Sequence, residues 1–432
     1  MLINIFKKST EPHPMLYIAI VWIISCAIMI IVYPQLLIDQ QISHIRFLDP
    51  ERVYMGSFTF LSNIFHGGIQ LWNPYDQMPL MFSYMIGDTI SLNNLFVSLG
   101  FLVVSPFFDS PAEAFHMVAS TVPLFVIILF QSIGFFLLLK RFSARLTVLL
   151  PCIIIGNTLL SPHILNGLST GATYALFPLL IHFILRFFEH FSVNDALLAF
   201  LVMLIALGTN PYHSLGYLYQ SVHYFILCGI AWVVVRKYSD MNKAFFRKKW
   251  RISSITLLKI GSVLLIFVII MMPLIILIYS NYSDYEFGHQ DSRIQSAFSF
   301  TGYFTNPVYY AHKINFPLHS LDFGNNNFAL SWQFIGFSTL FFSCCGLVLS
   351  GDSRKFVFFG AVLFIWLMNG DKILDISVIA HFINAVTNPL GFLVRSYQMG
   401  VFTLQFFLLP LIVIGLESII SLAEKSSAST HS

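Results

Sequence analysis

The residues best suited to chemistry gather near the start of the chain. "FLDPERVYMG" carries Asp49 and Glu51, and "HGGIQLWNPYDQMPL" (66–80) adds His66, Trp72, Asn73, Tyr75 and Asp76. Asp49 precedes Pro50 in the way a helix N-cap precedes a proline at the first helical position. Two readings are open for it: a cap alone, or a carboxylate held at a rigid helix start and available as a general base. Glu51 then stands in the first turn, where the helix dipole favours an acid. Asn73 precedes a proline and is pushed towards extended backbone. Trp72 and Tyr75 suit a belt at the level of lipid headgroups, and a sugar-stacking platform uses the same residue types. Asp76 and Asp88 read as solvated loop acids. A second group, "DYEFGHQDSR" (284–293), brings together Asp284, Glu286, His289 and Asp291. Oxygen ligands of that kind can take a divalent cation, and a solvated loop has the same composition.

The elements that must position these residues are apolar. Of 432 residues, 57% are hydrophobic and 10% charged, against about 25% charged in a typical soluble domain. Runs long enough for a helix to cross roughly 30 Å of hydrocarbon recur throughout. Alternating ten-residue segments that would mark a membrane barrel do not. The fold class expected is all-α: a single integral membrane domain over 1–432. About ten spans are predicted, at 15–38, 116–139, 145–161, 172–187, 194–209, 214–235, 254–279, 332–349, 355–369 and 398–420. Leu92 to Phe107 reads as an interfacial or re-entrant helix, and a true span is the alternative. The first run is too long for a signal-peptide core and lacks a small-residue cleavage site. The five cysteines all fall in apolar runs, where packing explains them better than a disulfide framework.

Lys and Arg orient the chain. Lys7, Lys8, Lys140, Arg141, Arg145, Arg186, the basic stretch 236–259, Arg354, Lys355 and Lys425 fall on one side of the predicted spans. Arg46, Arg52, Arg293, Lys313, Lys372 and Arg395 fall on the other. The positive-inside rule puts both termini in the cytoplasm. Three long loops, 39–115, 281–331 and 370–397, then face out, and Asp49, Trp72 and Tyr75 lie in the first. The net charge of +3 gives no sign of nucleic acid. "FRKKWR" (246–251) reads as an orientation signal and lipid-headgroup contact. No internal repeat of the kind carriers are built on is visible, and no Gly-rich phosphate loop.

The order of Asp49, the Gly67-Gly68 pair, "LWNPY", "LNNLF" and a span ending "LLLKRFSAR" resembles the YfhO-type bacterial membrane proteins, within the C-type (GT-C) glycosyltransferase superfamily. "SPHILNGLSTGATYALFPLLIHFILRFFE", "GTNPYHS" and "FLVRSYQMGVFTLQFFLLPLIVIGLE" are similar to later segments of that family. The resemblance implies a polyprenyl-phosphate-linked sugar donor used at the outer face of a bacterial inner membrane, with an envelope polysaccharide or lipid as acceptor. It implies Asp49 as the base towards the acceptor hydroxyl, with Trp72, Asn73 and Tyr75 beside the substrate. Arg395 could pair bidentately with the departing phosphate, or snorkel at the interface. His213, in "TNPYHS", could hydrogen-bond phosphate or acceptor, or satisfy a turn. No cofactor is required by this reading, and a divalent cation stays open. Two other classes remain: a non-catalytic scaffold of the same fold, and a transporter or flippase of a lipid-linked glycan. The second calls for charges lining a path within the spans, and the spans carry almost none.

Overall fold

The computed structural model describes residues 14–32, 92–158, 174–190, 192–207, 337–352, 354–369 and 404–430, with five further helical positions between 258 and 269. Every regular element among the described residues is helical and none is a strand. The helices are α1 (Pro14–Val32), α2 (Leu92–Val104), α3 (Pro111–Leu139), α4 (Leu146–Thr158), α5 (Phe177–His190), α6 (Val193–Leu207), α7 (Phe337–Leu349), α8 (Lys355–Asn369) and α9 (Leu404–Thr430). Their positions follow the apolar runs, because a run without polar residues favours the one local structure that bonds its own backbone. The predicted runs 214–235 and most of 254–279 lie outside the described residues. Two helical stretches, Pro14–Ile31 and Phe406–Ser427, are long and apolar enough to cross a membrane.

The start of α3 departs from the expectation. It begins at Pro111, earlier than the predicted 116. Ser110 is extended at the N-cap, Pro111 takes the first helical position, and Glu113 occupies the first turn, which is standard start chemistry. At 29 residues and about 1.5 Å per residue, α3 is roughly 43 Å long.

Contacts between helices give their directions. Trp22 Nε1 donates to the Phe125 carbonyl at 2.9 Å, while Ile18 and Val21 pack in the cluster that holds Phe135 and Phe136; α1 and α3 are therefore antiparallel. α2 folds back along α3 as the short arm of a hairpin. Phe96 meets Phe130 and Phe101 meets Phe115 edge-on, at 6.4 and 5.4 Å between centroids. α5 runs parallel to α3, beginning beside Gly134, where an added Cβ would come within 2.8 Å of the Leu179 nitrogen.

The core is aromatic. Phe135, Phe177, Phe406 and Phe407 form one group with centroids 5.5 to 6.0 Å apart, and all four are at most 1% exposed. On α1 the buried positions Ile18, Val21, Ser25 and Met29 fall on one helical face, and Leu16, Ile20, Ile23, Ile24 and Ile31 are exposed on the other. Two of the buried hydroxyls are satisfied locally: Thr121 and Ser132 donate to the carbonyls four residues back at 2.7 Å, a local bond open to Ser and Thr within helices.

α7 and α9 are in the closest approach. They run parallel and cross at Gly346 and Gly415, each glycine facing the backbone of the other helix. A Cβ on Gly346 would collide with the Leu411 carbonyl, and one on Gly415 with the Phe342 carbonyl. Small residues at such a crossing let two backbones touch.

Candidate functional site

The directions of the helices bring the ends of α3, α5, α7 and α9 and the starts of α1, α4, α6 and α8 to one end of the bundle. Most of the charged residues described collect there and pair across helices, while Asp109 and Glu113 stand at the start of α3 at the other end. Arg145, in the loop after α3, bonds Glu417 at 2.9 Å and holds Glu424 through both terminal nitrogens at 2.6 and 2.7 Å. Hydrogen bonds from Glu424 first and Glu417 second raise the arginine's pKa still further above its usual value, so it stays charged. Ser143 adds a bond to Glu417 at 2.8 Å.

The loop between α7 and α8 is fixed to the same end. Arg354 bonds Asp352, donates to the Arg141 carbonyl at 2.9 Å, and lies 4.6 Å over the Phe142 ring. Lys355 is 8% exposed and donates to the Leu347 and Ser350 carbonyls at 2.5 Å each, closing the C-terminal turn of α7. Arg141 pairs with Glu189, and Arg186 with Asp195 at 3.1 Å. Arginine fits these forks because its planar guanidinium matches a carboxylate in two directions. The end as a whole is a plate of paired charges.

A second polar group is buried in the middle of the bundle. Asn157 donates through Nδ2 to Ser132 Oγ at 2.8 Å and to Ser25 Oγ at 3.1 Å, linking α4 to α3 and α1. All three residues are at most 1% exposed. Replacing Ser132 with alanine removes one of these bonds and leaves the buried amide with Ser25 as its remaining acceptor. A loss of about 1 kcal/mol is expected, read from denaturant or detergent unfolding; an unchanged midpoint would show the bond to be energetically idle.

The sequence-derived candidates Asp49, Trp72, Asn73, Tyr75, His213 and Arg395 lie outside the described residues, as do Glu51, His66, Asp76, Asp88 and the 284–293 cluster. Among the described residues no group of three His, Cys, Asp or Glu side chains is placed to hold a metal. Cys26 and Cys152 are buried packing residues with free thiols. Arg141, Arg145, Arg186, Arg354 and Lys355, expected on one side from their order alone, are brought to one end by the fold. Sequence reasoning missed their partners Glu189, Asp195, Glu417 and Glu424; the one available signal was that each lies near the terminus of an apolar run. It also missed Ser25, Ser132 and Asn157, isolated polar residues inside apolar runs. No family model, curated protein or solved structure matches the chain.

Proposed function

We propose that the chain is a multi-pass inner-membrane glycosyltransferase of the C-type superfamily, with about ten spans and both termini in the cytoplasm. It moves a sugar from a polyprenyl phosphate to an envelope glycan or lipid at the outer face. The observation that carries this reading is the plate of paired charges. Arg141, Arg145, Arg186 and Arg354 are each engaged by carboxylates, which leaves that end occupied by its own structure. In this reading the outer loops 39–115, 281–331 and 370–397, with Asp49, Trp72 and Arg395, belong to the other side. The same plate weighs against a flippase, whose cytoplasmic side would have to part Arg145 from Glu417 and Glu424 and Arg141 from Glu189 in every cycle.

In this reading Asp49 takes the proton of the acceptor hydroxyl as it attacks the anomeric carbon. The bond to the donor phosphate breaks, and the polyprenyl phosphate leaves as an anion. Arg395 meets the charge that grows on that phosphate. Trp72 and Tyr75 offer faces for the sugar, and Asn73 and His213 hydrogen bonds.

The test is transfer of labelled sugar from a short-chain polyprenyl phosphate donor by purified protein in vesicles. Asp49→Asn should lower the rate by about 10²–10⁴-fold with the melting temperature unchanged. Full activity in that variant excludes Asp49 as base. Wild-type protein that binds the donor and transfers nothing would instead be a scaffold.

A further inference from the structure

Beneath the charged plate, α5 carries His182, Arg186, Glu189 and His190 at helical spacing on one stripe. His182 is 6% exposed, and neither ring nitrogen has a hydrogen-bond partner. Asp195, at the start of α6, is 2% exposed. It gives one oxygen to Arg186 Nε, and its other oxygen is buried without a partner. Arg141 pairs through a terminal nitrogen with Glu189, while its Nε is also buried without a partner. The charges of Arg141 and Arg186 act on both His182 and Asp195, so the four groups share one region between α3, α5 and α6.

The unmet bonding capacity is of both kinds. A neutral imidazole has one donor and one acceptor nitrogen, and Arg Nε–H is a donor only. The free oxygen of Asp195 is an acceptor. Two donors and two acceptors thus remain, on residues that no apolar neighbour can satisfy. An anion would be repelled by Asp195 and Glu189, and a cation by Arg141 and Arg186. Water both donates and accepts, and its usual place in a protein is among buried polar groups of this sort. The way in lies through partly exposed groups: Arg186, Glu189 and Arg354 are 31%, 32% and 36% exposed.

We propose that α3, α5 and α6 enclose a hydrated vestibule, open to the charged end, that brings water and exchangeable protons to His182. The imidazole lies about 12 Å along the helix from His190, at about 1.5 Å per residue. The charges that act on it are those of Arg141, in the turn after α3, and Arg186 of α5; Glu189, His190, Asp195 and Arg354 stand around these two nearer the charged end. This site does not depend on the sugar-transfer reading. The dry alternative is an imidazole N–H turned onto the Leu137 carbonyl, the backbone acceptor beside it on α3.

The experiment follows exchange of the imidazole C2 hydrogen in heavy water, by mass spectrometry, on wild-type protein in lipid nanodiscs. His182 should exchange within about two orders of magnitude of the exposed His190, while the backbone amides of Leu180 and Ile181 stay protected. Slower exchange, or exchange in step with those amides, overturns the proposal, since the first means a dry ring and the second means opening of α5. A second readout uses His182→Cys with a small neutral, water-soluble thiosulfonate. The new thiol should react at least about tenfold faster than the one in Leu185→Cys, because a thiol reacts as its solvated thiolate. Equal rates overturn the proposal.

Discussion

Gly415→Leu is expected to prevent α7 and α9 from packing and to leave the protein aggregated on extraction. The milder Gly346→Ala and Gly415→Ala should each cost about 3 kcal/mol, at the upper end of what overpacking usually costs. The reason is what stands in the way. At each glycine the new Cβ meets a carbonyl oxygen of the opposite helix, and backbone cannot rotate aside as a side chain can. The helices must separate along their length or tilt about the crossing, and either motion disturbs Phe406 and Phe407 in the core. Gly360→Ala is the control, because its Cβ would have nothing within 4 Å. Melting of the purified variants by size-exclusion after heating decides the matter. Gly415→Ala melting with the wild type would mean that the two helices are not in backbone contact.

The second large effect concerns Glu189. Its carboxylate is the partner of Arg141, which is 12% exposed, and it lies 3.9 Å from Arg354 and from His190. Glu189→Leu leaves the Arg141 charge buried and uncompensated, a change that costs about 3–5 kcal/mol where one member of a buried pair is removed. Partial exposure of Glu189 puts the expected loss at about 3 kcal/mol, the low end of that range. The informative variant is the double replacement, Glu189→Leu with Arg141→Met. Taking away both charges removes the desolvation penalty along with the attraction, so the double variant should be more stable than Glu189→Leu alone. If it is less stable, Arg141 contributes chiefly through the packing of its side chain, and the pair matters little.

The helices were legible because each is encoded locally, by an apolar run whose charges, where it has any, gather towards its ends. The start of α3 was missed by several residues because Ser110-Pro111 signals a cap by residue type while the apolar run begins later. The pose of α2 was not legible, since "LNNLFVSLGFLVV" is equally compatible with a flat helix and with a hairpin arm. At Gly100 an added Cβ would come within 3.0 Å of Val118 and Val122, so the missing side chain lets α2 lie close along α3. The paired end was half legible. Arg141, Arg145, Arg186 and Arg354 showed which side they share, but Arg145 and Glu424 are 279 positions apart, and no periodicity connects them. Ser25, Ser132 and Asn157 escaped for the same reason. The chemistry assigned to Asp49, Trp72, Asn73, Tyr75, His213 and Arg395 rests on residue types, order and resemblance, because all six lie outside the described residues.

α9 is made after every helix it packs against. Phe406 and Phe407 complete the aromatic group with Phe135 and Phe177, Leu409 lies against Gly156 of α4, and Gly415 locks onto α7. Until that segment leaves the ribosome, the groove between α3, α4 and α7 has no occupant of its own, and Arg145 has neither Glu417 nor Glu424. Assembly of the described helices therefore includes a closing step in which one late helix both fills the core and neutralises the basic loop. A nascent chain stalled before it presents together an open seam and an arginine without its two carboxylates.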